Sequence, residues 1–178
     1  MTALYTIGHS NRKLQDFLDL LTHYKISKLV DVRTIPKSRY VPWFNKESLA
    51  DSLKEISVQY QHVPALGGLR SPKADSINLG WHNLSFRAYA DYMQTKEFFS
   101  ALKDLNAMTA NERVAIMCAE AVPWRCHRSL IADAEIIRHF RVFHILNETT
   151  VQTHHLTSFA VVDRDKRPMR IYYPEPNV

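Results

Sequence analysis

The richest stretch for chemistry runs from Cys118 to Arg128 and reads C-A-E-A-V-P-W-R-C-H-R. Three kinds of chemistry are open to it. Cys118 or Cys126 can act as a nucleophile with His127 as its base. Glu120 can act as a general acid or base, held in a partly dry site beside Trp124. The thiols and His127 can also bind a metal, but the cysteines are not at the short spacing of structural zinc sites, so no metal site is assigned. A plainer reading stands beside these for each residue. Free cysteine is among the most buried residue types, and Cys118 directly follows the apolar run Val114 to Met117. Glu120 and Arg128 can equally form a solvated ion pair in a loop.

A thiolate near a helix N-terminus is stabilised by the dipole and the free amides, and Arg125, His127 and Arg128 would lower its pKa further if close. The same geometry suits a bound anion, with amides and guanidinium groups facing a phosphate. Further candidates lie earlier in the chain. His9 and Ser10 follow a short apolar run, where they can contact substrate or cap the next helix. Asp31 stands in an apolar strand and, if buried, needs a partner, for which Arg33 is the obvious choice. The loop around Lys37, Arg39, Tyr40 and Trp43 interleaves basic and aromatic residues, the mix that grips phosphates and stacks on bases. It can also be a loop whose aromatics join the core. Lys73, His82, Arg87, Tyr89 and Tyr92 form a second such region, although Tyr89 and Tyr92, at i and i+3, can be explained by packing alone.

These residues depend on an alternation of strands and helices. Leu4 to Ile7 is a short apolar strand ended by Gly8, after which Ser10 or Asn11 can cap a helix. In that helix Leu14, Phe17, Leu18 and Leu21 share one face. A second strand spans Lys28 to Val32, a helix runs from about Lys46 to Ser57, and a third strand spans Val58 to Val63. Pro64 to Asn83, with the Gly67-Gly68 pair, is a long loop, and loops of that length are usually functional or disordered. Helices follow at about Ser85 to Gln94 and Lys96 to Leu105, then a strand from Arg113 to Met117. A helix from Arg128 to Phe140 and a strand from Val142 to Leu146 complete the pattern. His155 to Val162 reads as a strand or short helix, Arg170 to Tyr173 as a strand, and the last residues as a frayed tail. The alternation predicts a single α/β domain with a mostly parallel sheet of about five strands and helices on both faces. Residues 1–150 form that domain, and residues 151–178 are an extension packed on it or partly flexible. Right-handed crossovers bring every strand's carboxyl end to one edge, where such sheets bind ligands. His9-Ser10, Asp31-Arg33, Gly67-Gly68 and Cys118-Glu120 all follow strands and should meet there.

Composition sets the outer limits. The chain has 178 residues, 46% of them hydrophobic and 23% charged, which suits one soluble domain and excludes wholesale disorder. No apolar run is long enough to span a membrane, and the start shows no secretory signal. Two cysteines without an export signal point to a reducing cytoplasm. The net charge of +5 is mildly basic and compatible with an anionic partner. Signatures of dinucleotide, P-loop, zinc-protease and nucleophile-elbow enzymes are missing.

Taken in order, Tyr5-Thr6-Ile7-Gly8-His9-Ser10, Leu29-Val30-Asp31-Val32-Arg33 with Pro36 and Ser38, Leu66-Gly67-Gly68, and Cys118-Ala119-Glu120 with Cys126-His127-Arg128 resemble the domain-of-unknown-function family 488, widespread in bacteria and archaea. The resemblance covers about residues 3–146. It implies a compact α/β domain in which these motif residues are the shared ones, and it brings no settled reaction.

The reading favoured at this point is a cytoplasmic hydrolase acting on a phosphate-bearing substrate, most simply a nucleic acid or nucleotide. Arg33, Arg39 and Arg128 would hold phosphates, with His9, Ser10, Gly67 and Gly68 beside them. Tyr40 and Trp43 would stack a base, Glu120 would be the general acid or base, and Asp31 would activate water or orient Arg33. Cys118 or Cys126 would then shape the site. The alternatives are a thiol enzyme, working by sulfur transfer or redox chemistry at Cys118 or Cys126 with His127, and a non-catalytic nucleic-acid-binding module. No cofactor or oligomeric state is assigned.

Overall fold

The apolar runs become strands in the computed structural model, which describes residues 1–177. In chain order the elements are β1 (Ala3–Gly8), α1 (Leu14–His23), β2 (Lys28–Asp31), α2 (Lys46–Glu55), β3 (Gln59–His62), α3 (Leu84–Tyr92), α4 (Lys96–Met108), β4 (Val114–Cys118), α5 (Arg128–Ile136), β5 (Arg141–Ile145), β6 (Val151–Thr153), β7 (Val161–Asp163) and β8 (Arg170–Tyr172). Short 3-10 turns at Pro42–Phe44, Pro64–Leu66 and Pro123–Arg125 each begin with proline, whose missing N–H would have no partner there. Two of them occupy stretches read from sequence as plain loop.

The central sheet has six strands in the order β3-β2-β4-β1-β5-β6, and β7 and β8 form a separate hairpin. Strands β1 to β5 are parallel, and β6 runs antiparallel to β5. The sixth strand is the departure from the expected five. After β5 the chain reverses, with the Leu146 N–H bonded to the Thr150 carbonyl at 3.0 Å, and Val151–Thr153 pairs back along the sheet. All three residues of β6 are exposed, so no alternation announces it.

Successive side chains of each strand feed opposite faces. Tyr5, Ile7, Leu29, Ala115 and Met117 pack against Phe17 and Leu21 of α1 and Leu49 and Leu53 of α2. Leu4, Val30, Val114, Ile116 and Cys118 pack against Tyr89, Phe98, Leu102, Leu130 and Ile131 of α3, α4 and α5. The result is a single mixed α/β domain with helices on both faces of a largely parallel sheet. Residues beyond 150 add β6 to the sheet and bury Ile171 and Tyr173 against the α3–α5 face.

Adjacent strands β1 and β4 send their following helices to opposite faces, α1 to one and α5 to the other. That divergence opens a crevice at their carboxyl ends. Two local expectations fail here and at the C-terminal end. Neither Ser10 nor Asn11 caps α1, which starts after Lys13 without a side-chain cap. Ser10 instead takes a left-handed conformation with φ 47°, and its amide joins the Ala119 carbonyl at 2.8 Å, extending the β1–β4 ladder. Of the element expected over His155 to Val162, only Val161 and Val162 are strand, in β7; His155 to Ala160 is a loop in which the backbone N–H of Thr157 donates to Asp133 of α5 at 3.0 Å.

Candidate functional site

A cavity of about 460 Å³ lies in the crevice. Residues from β4 and its loop (Cys118 to Glu120), the α5 approach (Arg125, Cys126, His127), the β2 loop (Arg33, Thr34, Ile35), Gly68-Leu69 and the start of α3 (Asn83, Ser85, Phe86) line it. Three of the four strand-end segments expected to meet therefore reach it, and the His9-Ser10 segment does not. Asn83 caps α3 through its side-chain oxygen, which accepts from the amides of Ser85 and Phe86, so the N-termini of α3 and α5 both face this space. Two positive helix ends and two arginines make it receptive to negative charge.

Both cysteines are free and nearly buried, and both reach the cavity. Arg128 holds them together. Its Nε donates to Cys118 Sγ at 2.9 Å, and its backbone N–H donates to Cys126 Sγ at 3.5 Å. The remaining guanidinium donors go to Thr6 Oγ1 at 3.0 Å and to the Glu120 carbonyl at 2.5 Å. Arg128 is only 1% exposed, and among the described residues no carboxylate lies within ion-pair distance of it. This corrects its expected place as a phosphate ligand: it lies beneath the site and faces sulfur.

His127 stands beside Cys126, with Nδ1 3.4 Å from Sγ. Its Nε2 donates to the Val32 carbonyl at 2.9 Å, which puts the ring proton on Nε2 and leaves Nδ1 free to accept from the thiol. A Cβ at Gly68 would sit 2.6 Å from that Nδ1, so only glycine lets the loop close over the imidazole. Gly67 is pressed likewise against Thr34, and Gly8 against the Glu120 carbonyl. Both glycines of the pair are thus spacers that allow close approach.

The two thiols share a proton unevenly. Burial and the adjacent Cys126 push Cys118 well above its ordinary value. Burial also opposes ionisation of Cys126, but hydrogen bonds from Cys118 and His127 and the charge of Arg128 outweigh it and hold Cys126 well below. Ionisation is therefore favoured at Cys126 over Cys118.

The β1 and β2 residues form a supporting layer. Asp31 is fully buried and takes Arg33 in two bonds, from Nε at 2.9 Å and Nη2 at 2.7 Å, plus the Tyr60 hydroxyl at 2.5 Å. With both oxygens so engaged it orients Arg33 and has no free face for water, which corrects the water-activating expectation. His9 donates from Nδ1 to the Ser10 carbonyl at 2.8 Å, accepts from Arg33 Nη1 at 3.3 Å and stacks on Phe44. Burial, despite the bond to Ser10 and together with the charge of Arg33, lowers its pKa to about 4, so it is neutral near pH 7. His9 and Ser10 do not line the cavity, and neither do Arg39 and Tyr40. Tyr40 is 92% exposed. Glu120 does line it, but the carboxylate is open to solvent rather than partly dry, and Trp124 faces a different, smaller cavity.

Sequence reasoning missed the far side of the cavity, Thr34, Asn83, Ser85 and Phe86. It also missed a buried chain behind Arg128. Thr6 Oγ1 bonds His144 at 2.7 Å, His144 bonds His154 at 2.9 Å, and His154 bonds Asp133 at 2.8 Å. The signal was present as Thr6 in an apolar strand and Asp133 on an apolar helix face, polar types that need buried partners. Tyr89 and Tyr92 pack as their spacing allows, with their hydroxyls on the Leu66 and Ala65 carbonyls.

Fold and site together define an α/β protein with a cysteine pair at the switch point of a parallel sheet. The chain belongs to the family described as domain of unknown function DUF488, whose model matches residues 13–135. The match contains every cavity-lining residue named above and leaves out the His9 segment. No curated protein and no solved structure matches the chain.

Proposed function

We propose that this chain is a cysteine-dependent enzyme in which Cys126 attacks as a thiolate, His127 handles its proton and Arg128 is the buried counter-charge. The observation that carries the reading is buried Arg128, whose guanidinium meets Cys118 Sγ and whose backbone N–H meets Cys126 Sγ, with no carboxylate partner among the described residues. An unpaired charge in the interior is costly, and the sulfur pair is the anion within its reach. Nucleophile, base and orienter follow in order as Cys126, His127 and the Val32 carbonyl, the arrangement that activates a thiol. Arg33 and Arg125 give the cavity a cationic side, and Ile35, Leu69 and Phe86 give it an apolar one. An organic substrate with an anionic group fits that lining.

A second reading, hydrolysis of a phosphate-bearing substrate such as a nucleic acid or nucleotide by Glu120, has support from Glu120, Arg33 and Arg125 sharing one cavity. It has fewer groups to work with, since Asp31 and Arg128 are buried and engaged and Arg39 and Tyr40 lie outside.

Alkylation by iodoacetamide at neutral pH separates the two. Cys126 should react about tenfold faster than a thiol of the unfolded chain, because a lowered pKa raises the thiolate fraction at neutral pH. His127→Ala should remove most of that advantage, and Glu120→Gln should leave it intact. A folded protein whose Cys126 reacts no faster than the unfolded chain would sink the thiol reading.

A further inference from the structure

Cys118 has no part in the attack just described, yet it is held as carefully as Cys126. It ends β4 and is 3% exposed, and the Nε of Arg128 reaches it at 2.9 Å. It lines the same cavity as Cys126, and one residue, Arg128, contacts both sulfurs, through Nε at Cys118 and through its backbone N–H at 3.5 Å from Cys126. A buried cysteine needed only for packing requires no guanidinium on its sulfur.

Resting on the thiol reading above, we propose that Cys118 and Cys126 form a two-electron dithiol–disulfide centre whose substrate is a low-molecular-weight disulfide bearing anionic groups. The cavity chooses the class. Its volume, about 460 Å³, is in the range that holds small organic ligands. Arg33 and Arg125 and the two helix N-termini face the anionic groups, while Ile35 and Leu69 line the apolar part.

The steps balance. The Cys126 thiolate attacks one sulfur of the substrate, forming a mixed disulfide as the substrate S–S bond breaks. The first substrate thiolate leaves and takes the proton held by the His127 imidazolium. Capping Cys126 removes its negative charge, and Arg128 is left beside Cys118 as the sulfur able to carry one. Cys118 then gives up its proton and attacks Cys126 Sγ. The intramolecular S–S bond forms, the mixed disulfide breaks, and the second substrate thiol departs with that proton. Two electrons pass from the protein to the substrate, which leaves as two thiols. Arg128 is the positioning residue throughout, because its charge serves whichever sulfur is ionised.

The test uses the full chain and oxidised glutathione as the probe, with mass spectrometry after acid quench. Wild type should lose two hydrogen atoms and yield a cross-linked peptide pair containing Cys118 and Cys126. Cys118→Ser should stop with one glutathionyl group on Cys126, and Cys126→Ser should form neither product at a comparable rate. A wild-type protein that keeps a stable glutathionyl group on Cys126, or that alkylates rapidly but does not react with the probe, overturns the disulfide centre while leaving the nucleophilic cysteine standing. Slow alkylation as well overturns both.

Discussion

Glu135→Gln should stabilise the protein, and the gain should grow with pH. Glu135 lies on α5, is fully buried, and neither carboxylate oxygen meets a hydrogen-bond partner among the described residues. Asn106 lies beside it, and its own side-chain oxygen is also without a partner. A proton on Glu135 is the donor that these oxygens lack. Burial, against the weaker pulls of Arg138 and of neighbouring Asn106, raises Glu135 from its ordinary 4.5 to about 8. The folded chain therefore keeps a proton that the unfolded chain releases above pH 4.5. Stability from this residue is complete below pH 4.5, declines as pH rises towards 8, and is level beyond. The slope is at most about 1.4 kcal/mol per pH unit, so holding Glu135 neutral at pH 7 costs about 3 kcal/mol. Glutamine has the same shape, supplies a donor and does not titrate. Urea unfolding followed by tryptophan fluorescence should show variant and wild type nearly equal at pH 4.5, and the variant ahead by about 3 kcal/mol at pH 7. Parallel stability curves, or a variant less stable at pH 7, would refute the reasoning.

On the acid side the sign reverses. Burial holds His9 near 4 and His144 near 3, both below the ordinary 6.5, so their contribution is complete above pH 6.5 and lost as pH falls towards those values. The two histidines outweigh the one glutamate where the limbs overlap, so wild-type stability should peak near pH 6.5, and Glu135→Gln should turn the alkaline limb into a plateau, as denaturant melts across pH will show. Asp31→Asn strips the buried Arg33 of its counter-ion and should cost about 3–5 kcal/mol in urea unfolding; a loss under 1 kcal/mol, the range of exposed pairs, would mean that the pair is solvated. Gly68→Ala pushes a methyl group to within 2.6 Å of His127 Nδ1 and should slow Cys126 alkylation about tenfold while the circular dichroism spectrum is unchanged. An unchanged alkylation rate would mean that His127 does not activate the thiol.

The sheet and its helices were legible because burial on both faces leaves continuous apolar runs such as Val114 to Met117, and because Leu14, Phe17, Leu18 and Leu21 repeat at helical spacing. The edge strand β6 was not, since its three exposed residues carry no burial pattern. The convergence of Asp31-Arg33, Gly67-Gly68 and Cys118-Glu120 followed from parallel topology alone. Which groups face the cavity did not. Arg128 and Arg33 are the same residue type at the same edge, yet one lies under sulfur and the other lines the cavity beside its aspartate. That distinction depends on the depth of each side chain, which spacing along a chain does not carry. His144 and His154 had no visible partner because theirs, Thr6 and Asp133, lie far away in sequence.

The strand order has a consequence for how the molecule is made. Central strand β1 pairs with no early neighbour: Tyr5 meets Ala115 on one side and Phe143 on the other. Residues 3–8 must wait for β4 and β5, more than 100 residues later, before their hydrogen bonds close, and such distant pairings form slowly. Until then β2 and β3 can pair only with each other, and their other edge stays open to other chains. The cysteines arrive with β4, which joins β1 to β2, and with the approach to α5, so the thiols are arranged only once most of the sheet has been made. Truncation before β5 should accordingly leave an aggregating fragment with ordinary, unactivated cysteines.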